Sequence, residues 1–307
     1  MRILVTGSSG WLGRCLVPRL ERDGHAVIGI DPLPARTTRV AGSVADADVV
    51  RRTIRDHGIE AVIHAGALHK PNLATHTPTD FVAVNLQGTL NLLEAAVSPG
   101  SAVGRFVFTS TTSLMISNEF RAAAKAQAAW ITEDLQPLRP RNIYGVTKLA
   151  AEHLCRMYHE SHGLPLVILR TARFFPEEDD LAHTIPQSGP NTKVNELLFR
   201  RLTVEDAAEA HVTALALAPA LGFDTFIVSA PTPFTRQDCA ELIMDAPAVV
   251  ARYFPHYTEV YARLGWSMFA SIDRVYVACR AARRLGFTCR TGFKEKLEEL
   301  AGGAGAA

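Results

Sequence analysis

A buried-strand run, Ile3-Leu4-Val5, leads directly into Gly7-Ser8-Ser9-Gly10-Trp11-Leu12-Gly13, and a helical pattern starts at once behind it. No other stretch limits the possible folds of this chain so tightly. Glycines at these positions allow a tight turn, let backbone N–H groups come close to a ligand, and let the following helix pack on the strand. The helix N-terminus adds partial positive charge, so the turn is shaped to seat a pyrophosphate. The spacing is GxxGxxG, one residue longer at its start than the familiar GxGxxG of dinucleotide sites. Its position after an N-terminal strand makes Gly7, Ser9, Gly10, Trp11, Leu12 and Gly13 candidate cofactor-binding residues.

Short apolar runs then alternate with helical patterns. Ala26 to Ile30, Ala61 to Ala65, Phe106 to Thr109, Leu166 to Arg170 and Phe226 to Ser229 are each too short for a helix and rich in Val, Ile and Phe, as in strands buried on both faces. Between them, Leu86, Leu90, Leu93 and Val97 recur at helical spacing, as do Leu149, His153, Leu154 and Met157. The helices are expected at Val84 to Val97 and Val146 to His159. Strand, helix, strand in repetition predicts an α/β fold with a doubly wound (Rossmann) parallel sheet. Pro18 falls inside the first expected helix, where a proline costs about 3 kcal/mol or forces a kink; a helix is predicted there all the same. From Arg173 the pattern becomes irregular, and from Pro231 helical patterns return, broken by Pro233, Pro247 and Pro255. The expected organisation is a cofactor-binding domain over 1–172, to which the chain returns at about 196–230. A smaller, mostly C-terminal substrate-binding part spans 173–307, with a flexible tail at 301–307.

Composition narrows the function. Over 307 residues, 32 basic and 31 acidic side chains leave a formal charge of +1, so no global field draws the chain to nucleic acid or an anionic membrane. The five cysteines lack CxxC or Cys/His spacing and read as reduced thiols, without structural zinc. The opening reads as a strand and not a leader, and no run reaches transmembrane length. A cytoplasmic protein acting on a small molecule is expected.

Asp31 ends the second apolar run, eighteen residues beyond Gly13. A carboxylate there accepts hydrogen bonds from ribose hydroxyls and repels a 2′-phosphate, which favours NAD over NADP. Arg14, Arg36 and Arg39 argue the other way, and a turn role before Pro32 is the bland alternative. Tyr144 and Lys148 stand four apart at the start of a helical segment, hence on one face. A phenol with an ordinary pKa of about 10 is a poor base, but a nearby ammonium stabilises its phenolate. Thr109-Ser110-Thr111-Thr112-Ser113 puts hydroxyls at the C-terminal end of a strand, where doubly wound folds bind ligands.

Thr6 to Gly13, Asp31, His64-Ala65-Gly66-Ala67, Asn85-Leu86-Gln87-Gly88-Thr89, Thr109 to Ser113, Thr132-Glu133-Asp134, Tyr144 to Lys148 and Val204-Glu205-Asp206 occur in one order. As a set they resemble the extended short-chain dehydrogenases, the NAD-dependent epimerase/dehydratase family, over about residues 1 to 230, with a looser echo at Ala282 to Gly286. The resemblance implies that Tyr144 is the acid/base, that Lys148 binds the nicotinamide ribose and lowers the tyrosine pKa, and that Thr111 is their hydroxyl partner. It extends the cofactor set to Ser43, Val44, Ala65, Gly66, Ala67, Asn85, Thr109 and Arg170, and puts Thr111, Thr112 and His69 where family members contact substrate, a solvated loop being the alternative for His69; Arg173, outside the family pattern, is a further substrate candidate. It also implies a homodimer through the helices around 84 to 98 and 146 to 160.

The chain departs from the family in three places. Ser43 stands where an Asp usually contacts adenine, and Leu114-Met115 replaces the Val-Tyr of many sugar-nucleotide members. Arg170-Thr171-Ala172-Arg173-Phe174-Phe175 replaces Arg-Pro-Phe-Asn, so that Arg173 is either a phosphate or carboxylate contact or a partner of Glu177 or Glu178. The acidic run Glu177 to Asp180 is read as a solvated loop without metal. Three readings remain: an NAD-dependent epimerase or dehydratase on a sugar-derived hydroxyl, a dehydrogenase or carbonyl reductase on a non-nucleotide alcohol, and a nucleotide-sensing protein without turnover.

Overall fold

The apolar runs become seven parallel strands ordered β3-β2-β1-β4-β5-β7-β8. These are β1 (Arg2–Thr6), β2 (Ala26–Asp31), β3 (Val40–Ala41), β4 (Ala61–His64), β5 (Phe106–Thr111), β7 (Leu166–Thr171) and β8 (Phe223–Val228); β6 (Ala129–Ile131) pairs with β9 (Arg274–Tyr276) in a separate two-stranded sheet. The computed structural model describes residues 1–118, 126–174 and 187–302. Strand β1 lies between β2 and β4, pairing Thr6 with both Ile30 and His64. Successive strands are added outward on either side of that point, so a crevice opens above the C-terminal ends of β1 and β4.

Helices cover both faces. On one, Leu12, Leu16 and Leu20 of the helix Trp11–Arg22 pack with Ala207, Ala210 and Ala214 of the helix Val204–Leu221. On the other, Val50 and Ile54 of Ala47–Asp56, Leu92 and Leu93 of Gly88–Ala96, and Ala151 and Cys155 of Ile143–His162 close over β2, β4, β5 and β7. A third apolar cluster lies apart from the sheet faces. It joins Val194 and Leu198 to Leu242, Val249, Tyr261 and Phe293.

Several expected boundaries move for identifiable reasons. The helix Trp11–Arg22 runs unbroken through Pro18; Pro18 and Arg14, whose carbonyl loses its helical partner, are both exposed, so that carbonyl is open to solvent and not buried unpaired. The helix expected from Val146 begins at Ile143, where the Asn142 side chain caps it by accepting from Gly145 N at 2.9 Å. The helix expected at Val84 enters through a π turn, Val82–Gln87. Strand β8 starts at Phe223, three residues before the apolar run, because its register with β7 begins there and hides Asp224. Pro247 is in the first turn of the helix Ala246–Tyr253, where a proline fits, and is not a break. Ala301 and Gly302 close the helix Phe293–Gly302 instead of belonging to a tail; 303–307 and the acidic run Glu177 to Asp180 lie outside the described residues.

The glycine turn is packed backbone on backbone. A Cβ on Gly13 would lie 2.3 Å from Gly7 O and 2.6 Å from Ser8 Cα, whereas one on Gly10 would meet only Gly7 O, at 3.3 Å. Gly13→Ala is therefore expected to lower stability by about 1–3 kcal/mol, and Gly10→Ala by clearly less, as read from urea denaturation midpoints; equal midpoints would show that the turn has room to shift.

Candidate active site

The crevice is a cavity of about 1220 Å³, larger than a typical drug-sized pocket and suited to a dinucleotide with a second ligand. Gly7, at φ +70, carries the turn out of β1 so closely that a Cβ on it would come within 2.7 Å of Gly66 Cα. The helix Trp11–Arg22 starts from Gly10 with no side chain capping its first N–H groups and no acidic residue in its first turn. Those donors face the cavity beside Gly7, Ser9, Trp11 and Leu12. The cradle fits an anionic pyrophosphate.

At the end of β2, Asp31 accepts from Ser9 N at 3.2 Å and from Leu33 N at 2.9 Å. The carboxylate thus braces both the glycine turn and its own turn while lining the cavity. Around it the wall is Pro32, Leu33, Gly42, Ser43 and Val44; Arg14, Arg36 and Arg39 do not line it. That is the environment of a diol, and among the described residues beside Asp31 no cation is placed for a 2′-phosphate.

Behind β4, Ala65, Gly66, Ala67 and His69 line the cavity, and buried polar groups hold this loop. Thr6 Oγ1 accepts from Gly66 N at 2.8 Å and contacts His64 Nδ1 at 2.7 Å, while His64 Nε2 meets Thr89 Oγ1 at 3.0 Å. Thr89 donates to Asn85 O at 2.6 Å, so His64 must donate through Nε2 and accept from Thr6 through Nδ1. Burial, and then the charge of Lys148, push the His64 pKa well below its ordinary value. His69 is lowered by the same two causes and is neutral near pH 7.

Three expected cofactor residues do other work. Asn85 does not line the cavity; its Oδ1 takes Leu68 N at 2.8 Å, and its Nδ2 reaches Leu68 O at 2.8 Å and Thr147 Oγ1 at 3.1 Å. It ties the Ala65–His69 loop to the helix of Tyr144. Arg170 points below the cavity floor into a bidentate pair with Glu152, Nη2 to Oε2 at 2.7 Å and Nε to Oε1 at 3.0 Å. Gly13 lies under the turn as a packing position, outside the lining.

Tyr144 and Lys148 both line the cavity, from the first turns of Ile143–His162. The Lys148 ammonium lies 4.4 Å from the centroid of the Phe108 ring, a cation–π contact in place of water. Burial lowers its pKa to about 8. The hydroxyl run at the end of β5 is sorted by hydrogen-bond direction. His211 Nδ1 donates to Ala207 O at 2.7 Å, which leaves Nε2 to accept from Thr109 Oγ1 at 2.7 Å. Ser110 donates to Glu152 Oε1 at 2.6 Å, and Thr112 points its proton to Thr171 O at 3.4 Å. Thr111 accepts from Ser113 N at 3.1 Å and, among the described residues, gives its proton to no protein group. It lines the cavity with a hydroxyl able to donate.

The far wall comes from beyond β7. Arg173 lines it, 3.5 Å from Glu196 Oε1; Arg200 and Arg201 approach the same fully buried carboxylate at 2.7 and 2.6 Å. Phe199, Phe269, Arg274 and Tyr276 also line the cavity. No motif announced them; the only signal was aromatic and basic residues scattered through an irregular region. Leu114 and Met115 are in the apolar core and do not face the cavity. Among the described residues no cluster of His, Cys, Asp or Glu could hold a metal, and no helix is long and apolar enough to cross a membrane.

A family model, NAD dependent epimerase/dehydratase family, matches residues 3–222. A UDP-glucose 4-epimerase of Azospirillum brasilense is 33% identical over 178 residues, 55% of this chain and 48% of that protein. The match thus spans about half the length of that relative. A dTDP-glucose 4,6-dehydratase of Streptomyces antibioticus is 27% identical over 338 residues, covering 96% of this chain and 90% of that one. A solved short-chain dehydrogenase/reductase superfamily protein from Agrobacterium tumefaciens, with bound NAD, aligns at a TM-score of 0.69 and 26% identity over 99% of this chain and 97% of that chain.

Burial of neutral histidines sets an acid limit on the fold. Burial lowers the His211 pKa from 6.5 to about 4, so the unfolded chain takes up a proton that the folded one refuses. Stability is expected to fall as pH drops from 6.5 toward 4, with His211 contributing on the order of 2 kcal/mol by about pH 5. Urea midpoints across that range should show a shallower decline for His211→Gln; an unchanged slope would mean that His211 is protonated in the native state.

Proposed function

The chain belongs to the NAD dependent epimerase/dehydratase family, and from that membership and the cavity geometry we propose an NAD-dependent enzyme that oxidises, transiently or in net, one hydroxyl-bearing carbon of a sugar or nucleotide-sugar. The observation that carries this reading is the convergence of Tyr144, Lys148 and Thr111 on the cavity that also holds the glycine turn and Asp31. Bound NAD supplies the hydride acceptor. Gly7, Ser9 and the helix N-terminus behind Gly10 hold its pyrophosphate, and Asp31 takes ribose hydroxyls.

Tyr144 accepts the proton of the reacting substrate hydroxyl and can return it. Lys148, charged and dry against Phe108, stabilises the phenolate and takes up ribose hydroxyls. Thr111 donates to the substrate oxygen, steadying charge as it develops there. Arg173 and Arg200, on the wall facing these groups, suit an anionic portion of the substrate. The cluster around Leu242, Val249 and Phe293 is the substrate-binding part, and its placement next to Phe199 and Phe269 supports this.

A homodimer through the helices around 84 to 98 and 146 to 160 belongs to the same proposal. Val82, Val146 and Met157, exposed by 42%, 46% and 48%, leave an apolar surface on those elements.

Two measurements test the proposal. Nucleotide released by denaturing the purified protein should be NAD, and calorimetric titration of the apoprotein should favour NAD over NADP; a preference for NADP would remove the role given to Asp31. With UDP-glucose and dTDP-glucose as trial substrates, Tyr144→Phe should cut turnover by about 10²–10⁴-fold with NAD affinity largely kept. Full activity of that variant would sink the assignment. Net NADH accumulation would identify a dehydrogenase instead of an epimerase.

A further inference from the structure

Below the cavity floor lies a charged group that the proposed chemistry leaves unexplained. Glu152 stands one helical turn beyond Lys148 on the same helix and is 5% exposed; Arg170, on β7, is 6% exposed. The carboxylate accepts from Ser110 Oγ at 2.6 Å, Arg170 Nε at 3.0 Å and Arg170 Nη2 at 2.7 Å. Arg170 Nη1 is buried with no hydrogen-bond partner, so the site is not optimised for the guanidinium. A buried ion pair rarely stabilises a fold better than apolar residues of similar size. Its presence here calls for a role beyond packing.

The surroundings of Lys148 define that role. On its own helix stand Tyr144, Glu152 and Cys155; β4 brings His64, the loop behind it His69, β5 the Phe108 ring, and β7 Arg170 behind Glu152. Burial drives the Lys148 pKa down, and Cys155 and then Glu152 oppose this. Cys155 can oppose it only as a thiolate, yet burial holds its thiol protonated well above the ordinary range. His64 and His69 are neutral. Among the described residues, Glu152 is therefore the carboxylate that sustains the ammonium. Resting on the reading of Tyr144 and Lys148 given above, we infer that Glu152, clamped by Arg170 and Ser110, is a positioning residue that keeps Lys148 charged at the cavity.

The test reads cofactor affinity, not turnover, so it needs no known substrate. NAD is titrated calorimetrically into apoprotein across pH, with every variant carried in a Tyr144→Phe background so that the phenol does not titrate. With Lys148 intact, affinity should hold at lower pH and fall as pH rises through about 8, where Lys148 loses its charge. In Glu152→Gln the fall should begin roughly one unit lower, and Glu152→Asp should return it toward its original place. Because Glu152→Gln strands the Arg170 guanidinium, whose charge adds to the downward pull on Lys148, Glu152→Gln with Arg170→Gln provides a paired variant without that stranded charge, and a smaller shift in the same direction is expected. Lys148→Met should abolish the fall. If Lys148→Met keeps the fall, the assigned role of Lys148 is wrong; if it removes the fall while Glu152→Gln, alone and with Arg170→Gln, leaves it at the original pH, Glu152 is structural and the inference is overturned.

Discussion

The backbone contact between Gly7 and Gly66 governs the site. Neither residue tolerates a Cβ, because each would lie within 3 Å of the other's backbone. That contact lets the turn leaving β1 sit flush against the loop leaving β4. The N-terminus of Trp11–Arg22, the carboxylate of Asp31 and the loop of His69 therefore share one cavity wall instead of three separate surfaces. Gly13 completes the arrangement from below, bringing the helix against the same turn. A doubly wound sheet always opens a crevice where its strand order reverses; the glycines determine how deep a ligand can sit there.

Buried hydrogen bonds then give the cavity a chemical direction. The chain from Gly66 N through Thr6, His64 and Thr89 to Asn85 O has one consistent set of donors and acceptors, and it works only with a neutral imidazole. His211 imposes the same discipline on Thr109. These histidines are scaffold, and burial keeps them uncharged. The identity of each ionised group beside Lys148 therefore matters: in a medium of low dielectric one carboxylate changes the proton affinity of a nearby amine far more than it would in water.

Much of this was legible in the sequence, because strand runs buried on both faces and a glycine turn after the first of them leave few alternatives. The Tyr144 and Lys148 pair was legible for the same reason: spacing of four on a helix is local information. What escaped was non-local. Sheet β6–β9 joins three-residue strands from distant parts of the chain, too short to carry a periodic signal. Phe199, Arg274 and Tyr276 reach the cavity only because the third cluster folds back beside it. Asn85 and Arg170 occupy positions matching cofactor-binding members of the family pattern, but sequence position cannot say which way a side chain points. Asn85 turns to Leu68 and Thr147, Arg170 to Glu152.

The hydroxyl run on β5 shows why pattern and structure must be combined. Thr109, Ser110, Thr111 and Thr112 are chemically near-equivalent as text, and any could meet a substrate oxygen. Alternation along the strand sends Ser110 and Thr112 toward partners in neighbouring elements, and His211 claims the proton of Thr109. Thr111 receives a backbone N–H and so retains its own proton for the cavity. Selection among these four hydroxyls is made by their neighbours, through the rule that a buried polar group takes a partner when one is in reach; of the four, Thr111 keeps a proton to donate into the cavity that the whole run lines.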